Sequence, residues 1–457
     1  MEGFLRRGWV EIHIVVAITL IVVAMRAQTQ PPWISSYNVA LGHIRTGKPE
    51  VGVRELEALG ASFPGDAVLA TSIGAALDLG ARHEQAERWY QKALAIDPQY
   101  EPALNDLALS LASQGQIDRA APLLRKALRI DPHNGRAAYN LGVIAIRLKR
   151  YEEAVGAFQA ARKAPDPPAP VETLALGEGT ALFKLGRYAE AKALLQISSA
   201  CSEVASCLLL GSSQALSNDL PAAVSTFQSA VRTAPQNPDA YFRLALTFLQ
   251  GQRDGEAKDT LAVGLDAIPN SALLLYGQAI LYEHLGSYDL AIHSAMNSIE
   301  QDPLRADVWS LLGRLRAHEG QVDEADEAFR RALSVDATVD HTVEYAEFLI
   351  HSGRYPEAEK MLNEMSKSNK DNPAINRSLG KLYKSEGKFD QAEVFLRHAV
   401  SEDPKDPQAH YALAITLERL RRYAEAKKEL DLFTQAKEER RFVHVLEIAS
   451  DPVGGKK

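Results

Sequence analysis

Residues 186–195 read GRYAEAKALL, and close copies of this pattern return along the chain. It joins a turn glycine to an arginine, an aromatic residue, an acid three places after the arginine, and an alanine. The closest copies are RYEEAVGAF at 150–158, RYPEAEKML at 354–362 and RYAEAKKEL at 422–430. A motif that returns at a fixed interval indicates a repeated structural unit. The interval between copies therefore decides the fold.

The alanine that closes the motif marks each repeat. Most neighbouring markers lie 34 residues apart, and the other intervals are 37, 32 and 33. A glycine or alanine also stands twelve residues before every marker, as Gly179 stands before Ala191. The markers are Ala86, Ala120, Ala154, Ala191, Ala223, Ala257, Ala291, Ala325, Ala358, Ala392 and Ala426, with Gly52 upstream. The register holds over about twelve units.

Each unit contains two apolar stretches of about a dozen residues, separated by a short turn such as KLGRY. The small residues are typical of two helices that cross closely, because a larger side chain would push their axes apart. Prolines such as Pro98 and Pro132 end the second stretch, since proline disfavours helix in the residue before it. One such hairpin cannot bury its own apolar face, so we expect an all-α solenoid of stacked pairs.

The period, the small residues at places eight, twenty and twenty-seven, and the proline near place thirty-two resemble the tetratricopeptide repeat. Trp309 with Leu312 and Gly313 matches the opening of that repeat well, and Tyr139 with its neighbours matches it in part. The resemblance covers about residues 33–438. It implies a right-handed superhelix with a concave groove lined by the first helix of each unit.

We expect an N-terminal signal or anchor segment with a short linker in 1–32 and four repeats in 33–163. The stretch APDPPAP at 164–170 should interrupt the array and break a helix. Eight further repeats occupy 171–438, and 439–457 should form a capping helix and a flexible tail.

The start of the chain carries a hydrophobic segment. Residues 14–25 contain no charge, which is the length of a secretory signal core, whereas 9–27 could just cross a membrane. Cleavage after Ala27 and retention as an anchor therefore both stay open. Arg6 and Arg7 precede the segment, so we expect the repeats outside the cytoplasm.

Composition and net charge disfavour several classes of function. The 457 residues have a net charge of -8, and Lys and Arg are dispersed, so nucleic-acid binding is disfavoured. The only two cysteines, Cys201 and Cys207, are too few for a disulfide scaffold or a four-cysteine zinc site. They are a candidate disulfide or, equally, two small buried thiols.

Motifs of catalysis and cofactor binding are incomplete. The stretch GHIRTGKP at 42–49 ends in proline where a phosphate-binding loop needs Ser or Thr, and HEQAE at 83–87 lacks the second zinc-binding histidine. We therefore predict no catalytic, cofactor-binding or metal-binding residue, and a protein that is not an enzyme.

The resemblance implies that places two, five, nine and twelve of each first helix face the groove. Arg377, Lys381 and Lys384 occupy three such places in one repeat and suit an acidic partner, although Glu344 and Glu347 could neutralise them. Aromatic residues at groove places include Tyr37 and Phe183. The full candidate peptide-binding set is Tyr139, Asn140, Phe242, Arg243, Tyr276, Arg377, Lys381, Lys384 and Tyr411.

The sequence thus predicts a scaffold that binds protein partners through its groove, in an extracytoplasmic or membrane-associated assembly. The alternative is an accessory subunit of a system for polysaccharide synthesis or export, or for envelope biogenesis.

Overall fold

A computed structural model describes residues 31–197 and 203–439, and these residues form helices joined by short turns. The helices are α1 (Ile34–Arg45), α2 (Pro49–Ser62), α3 (Ala67–Leu79), α4 (His83–Ile96), α5 (Glu101–Ser113), α6 (Ile117–Ile130), α7 (Gly135–Arg147), α8 (Tyr151–Lys163), α9 (Val171–Lys184), α10 (Tyr188–Leu195), α11 (Val204–Leu216), α12 (Leu220–Thr233), α13 (Pro238–Gln250), α14 (Asp254–Ala267), α15 (Ala272–His284), α16 (Tyr288–Gln301), α17 (Ala306–His318), α18 (Val322–Val335), α19 (Val339–His351), α20 (Tyr355–Ser366), α21 (Pro373–Ser385), α22 (Phe389–Glu402), α23 (Pro407–Arg419) and α24 (Tyr423–Glu439). Odd-numbered helices are the first helices of the repeats and even-numbered helices are the second, which confirms the predicted all-α repeat fold.

The chain divides into two compact units, Met1–Ser217 and Asn218–Lys457. Within each unit, a first helix packs on the second helix of its own repeat, on the second helix of the preceding repeat and, at most repeats, on the next first helix. The division falls inside the sixth predicted repeat, between α11 and α12. Each unit is therefore a row of helix pairs, and its apolar clusters range from a few adjacent helices to one that extends from α1 to α8.

The opening motif acts at the start of the second helix. Gly186 has a φ of 72°, which turns the chain, and Arg187 then donates two hydrogen bonds of 2.7 Å to the carboxylate of Glu190. The Tyr188 ring lies 5.3 Å from the ring of Phe183 on the preceding helix. Ala191 is fully buried at the crossing. Equivalent Arg–Glu pairs open α14, α20 and α24.

The crossings leave no room for larger residues. A Cβ atom added to Gly142 would lie 2.9 Å from the Phe158 ring, and one added to Gly313 would lie 2.9 Å from the Phe329 ring. Contacts this short do not occur at real Cβ atoms, so both positions require glycine. The predicted reason for the small-residue series is thus confirmed at these crossings.

The proline-rich segment packs against the repeat that precedes it. Helix α8 ends at Lys163, and Ala164 is buried. A Cβ atom added to Gly135, the first residue of α7, would lie 2.8 Å from the Ala164 methyl and 3.0 Å from Pro168. Residues 164–170 therefore interrupt the helices while remaining in contact with the array.

Three sequence-based predictions fall on residues outside the description. Cys201 lies between the two described ranges, so its pairing with Cys207, which is buried on α11, stays a prediction. Helix α24 continues to Glu439, and the expected cap lies almost entirely beyond it. The segment 1–32 is described only at Pro31 and Pro32. Within the described ranges, no helix is long and apolar enough to cross a membrane.

All twelve turns between first and second helix contain a residue in the left-handed region. Seven of these residues are glycines, as at Gly186 and Gly320, where positive φ brings no steric penalty. The other five turns place side chains in the strained conformation, at Ala81, Lys149, Asn218, Gln252 and Arg421.

Replacing Ala81 with glycine should stabilise the α3–α4 hairpin by about 1 kcal/mol, because the left-handed conformation strains alanine. The reverse change, Gly320→Ala, should destabilise the α17–α18 hairpin by about 1 kcal/mol, since open space surrounds Gly320 and only the strain changes. Hydrogen exchange of the α4 and α18 amides in the full chain measures both local free energies. Unchanged exchange in both variants would contradict the strain.

Candidate functional site

The first-helix face is the surface formed by places two, five, nine and twelve of the first helices. In the second unit, ion pairs between neighbouring repeats cover much of it. Lys381 on α21 donates to Glu347 on α19 at 2.9 Å and to Gln408 on α23 at 2.8 Å. Arg377 pairs with Asp406, the residue before α23, and its Nε lies 3.8 Å from the Glu347 carboxylate. Three consecutive first helices are thus joined through one network.

The network has clear electrostatic effects. Burial alone would raise the pKa of Glu347, but Lys381 and Arg377 outweigh it and hold that pKa below its usual value. Asp406 behaves in the same way, with its pKa lowered by Arg377 and by two backbone N–H groups. Burial lowers the pKa of Lys381, and the nearby charge of Arg377 adds to that effect.

A second bridge lies one repeat earlier. Arg314 on α17 donates to Glu344 on α19 at 2.9 Å and contacts Glu283 on α15 at 3.4 Å. The predicted neutralisation of the cations by Glu344 and Glu347 is therefore half right. Glu347 pairs with Arg377 and Lys381, whereas Glu344 pairs with Arg314.

The aromatic candidates at α13 and α15 are not exposed anchors, which corrects the sequence-based interpretation. Phe242 is 2% exposed and Tyr276 is 8% exposed, and their rings stack 5.7 Å apart. The Arg305 guanidinium carbon lies over the Tyr276 ring, 5.3 Å from the ring centre. Burial raises the pKa of Tyr276. Neighbouring first helices approach so closely that a ring at place five fills the space between them.

Other candidates are committed to packing as well. Tyr37, Phe183 and Arg243 are buried, and Arg243 lies 3.8 Å from the Asp239 carboxylate. Burial lowers the pKa of Arg243. These side chains fill space between helices and are not available on the outer surface.

In the first unit, polar candidates form a buried ladder. Asn140 on α7 donates to Asn105 on α5 at 2.8 Å, and Asn105 donates to Asp106 at 3.0 Å. Tyr139 is partly buried, with its ring edge-on to Phe158 at 5.9 Å. The ladder connects two repeats as the ion pairs do in the second unit.

The remaining candidates are Tyr411 and Lys384. Tyr411 is 47% exposed, although its ring contacts Phe433 at 5.2 Å. Lys384 is partly exposed and makes no side-chain hydrogen bond or ion pair within the described ranges. Burial lowers the pKa of Lys384, and Lys381 adds to the effect.

Sequence reasoning missed Asp406, Gln408 and Glu283. Asp406 precedes its helix, so helical spacing does not place it on the first-helix face. Gln408 and Glu283 occupy places two and twelve, and an acid or amide at those places beside a cation in the next repeat was the available signal.

Models of known protein families match the part of the chain that contains the repeats. Two family models, both described as "Tetratricopeptide repeat", match the chain. One matches residues 105–170, 276–339 and 310–373, and the other matches 215–281 and 384–441. Together the matches cover more than half of the chain. No curated protein sequence matches it significantly.

Several solved structures are similar to this chain, each with a TM-score below 0.5. Yeast Tom70 is 17% identical with a TM-score of 0.46, and the match covers 91% of this chain and 95% of Tom70. A chain of the APC/C hetero-tetramer Cut9-Hcn1 is 14% identical with a TM-score of 0.41, covering 83% and 88%. YrrB, described as a TPR protein with an unusual peptide-binding site, is 23% identical with a TM-score of 0.37, covering 41% and 95%.

The lowered pKa of Glu347 gives a test by pH. Its contribution to stability is present above the ordinary carboxyl value of 4.5 and is lost as pH falls through the lower folded value. Glu347→Gln should therefore cost about 1–3 kcal/mol at pH 7, because it leaves Lys381 without its carboxylate partner. That difference from the parent chain should shrink steadily as the pH falls below about 4.5.

Hydrogen exchange of α19 and α21 between neutral and acidic pH measures the difference. Glu324→Gln is the matched control, since Glu324 is exposed and has no ion-pair partner in the described part of the chain. A constant difference for Glu347→Gln across this pH range would show that the carboxylate charge is not what stabilises these repeats.

Proposed function

Because the chain belongs to the tetratricopeptide repeat family, we propose that it is a non-enzymatic scaffold that binds other proteins along the first-helix face. One observation carries the proposal: Glu347, Lys381 and Gln408 hold three consecutive first helices in a fixed relation. A surface that is ordered before binding loses little conformational entropy when a partner docks. In this network the charged groups of Glu347, Arg377, Lys381 and Asp406 are bonded to one another.

The accessible candidates give this surface its recognition chemistry. Tyr411 offers a large ring with few rotatable bonds, which is typical of interface anchors. Lys384 offers a cation in the neighbouring repeat that has no ion-pair partner among the described residues, which favours a partner with a carboxylate near an apolar side chain.

We place the repeats on the extracytoplasmic side, exported or anchored by the N-terminal segment. The uncharged stretch at 14–25, preceded by Arg6 and Arg7, supports this location. An accessory role in polysaccharide synthesis or export, or in envelope biogenesis, would use the same topology.

Affinity capture with the full chain tests the binding surface. Lys384→Glu/Tyr411→Ser should lose at least about tenfold of any captured partner, since it removes the accessible cation and ring. Leu290→Ser/Lys258→Glu is the matched control, because it makes the same kinds of change at exposed positions of second helices. Arg377 and Lys381 are left intact, since reversing them would break internal ion pairs. Equal retention by both variants would contradict binding at this face.

Protease protection tests the location. In sealed cells with a permeable outer barrier, the repeats should be digested by added protease, while a cytoplasmic marker should survive. The mass of the protected or released N-terminus then separates cleavage after Ala27 from an intact anchor. Full protection of the repeats would overturn the extracytoplasmic placement while leaving the binding surface untouched.

A further inference from the structure

Four cations lie in the turn between α23 and α24 or on the adjoining parts of these helices. Arg419 ends α23, Arg421 lies in the turn, and Lys427 and Lys428 lie on α24. All four are exposed, and none makes a side-chain hydrogen bond or ion pair with a described residue. Tyr423, the first residue of α24, is 66% exposed. We call these five residues the basic end patch.

The nearby acids are already occupied. Glu425 pairs with Arg422 and Arg397, and Glu393 pairs with the same two arginines across α22 and α24. Glu418 on α23 and Asp431 on α24 remain as exposed carboxylates near the patch. The cations of the patch therefore outnumber the exposed carboxylates near it, in a chain whose net charge is -8.

Helix stability does not account for this arrangement. A cation at Arg419 suits the negative end of α23, but Lys427 and Lys428 lie near the positive end of α24, where a cation gains nothing from the dipole. Arg421 has a φ of 60°, a strained conformation that the residues at four equivalent turns also adopt, so it costs stability rather than adding it.

The chemistry of the patch favours an acidic protein segment over a lipid surface. A helix that lies on a membrane needs a continuous apolar face, whereas the exposed side of α24 offers Tyr423, Lys427, Lys428 and Asp431. Exposed cations close in sequence to an exposed tyrosine suit carboxylates on an extended or helical segment, with the tyrosine hydroxyl available as a donor.

We propose that the basic end patch is a second docking surface, distinct from the first-helix face, and that it binds an acidic segment of a protein partner. Arg419, Arg421 and Lys427 provide the charge, and Tyr423 provides the contact area. This docking does not require the first-helix face to be occupied, so either surface can fail without the other.

The test measures binding of the full chain to a fluorescein-labelled poly-glutamate peptide by anisotropy, with poly-glutamine of equal length as the neutral probe. Arg419→Glu/Arg421→Glu/Lys427→Glu should weaken poly-glutamate binding at least about tenfold. The matched control, Lys258→Glu/Arg331→Glu/Lys360→Glu, reverses three exposed cations on separate second helices and should change binding less than about twofold. An equal loss in both variants would overturn the proposal, because overall charge alone would then explain binding.

Two further measurements separate the remaining explanations. Arg421→Gly relieves backbone strain, so it should raise the protection of α24 against hydrogen exchange while weakening peptide binding about threefold. Unchanged affinity in this better-folded variant would remove Arg421 from the site.

Sedimentation with phosphatidylglycerol vesicles, against phosphatidylcholine vesicles, should show no binding that depends on the patch. Patch-dependent vesicle binding without peptide binding would overturn the protein partner in favour of a lipid surface.

Discussion

The close crossing of the two helices in each repeat is the constraint on which the rest of the structure depends. At Gly142 and Gly313 a partner ring lies only 2.9 Å from the position that a Cβ atom would occupy. Larger residues at such positions would separate the helix axes and displace the neighbouring repeats. The left-handed turn residue then returns the chain directly onto the first helix. Together these local conditions bring successive first helices into contact within each unit.

That contact explains why so many polar and aromatic groups on the first-helix face serve the fold. Once neighbouring first helices touch, a ring at place five is enclosed, as Phe242 and Tyr276 are, and a charge at place nine finds an opposite charge in the next repeat. Exposed ion pairs contribute little, but partly buried ones such as Lys381–Glu347 hold repeats in a defined register. The face is consequently rigid over most of its area and leaves few side chains for a partner.

The fold could be predicted almost completely from the sequence, because the period, the small residues and the turn glycines all report local geometry. Arg377 and Lys381 could be placed on one helix face, and Glu347 could be foreseen as a partner. The burial of Phe242 and Tyr276 could not be predicted, because it depends on the distance between neighbouring repeats rather than on the spacing of residues within one repeat. Asp406 escaped notice because it lies before its helix, where helical periodicity carries no information.

The division of the apolar core into separate clusters also has a mechanical meaning. The cluster around Leu362 and Leu379 involves a few adjacent helices, as does the one around Leu396 and Leu413. Each repeat is held by its neighbours and by little else. A chain pulled from one end would therefore lengthen in steps, releasing one hairpin at a time while the remainder kept its structure. The force at each step would then measure the strength of a single boundary between repeats.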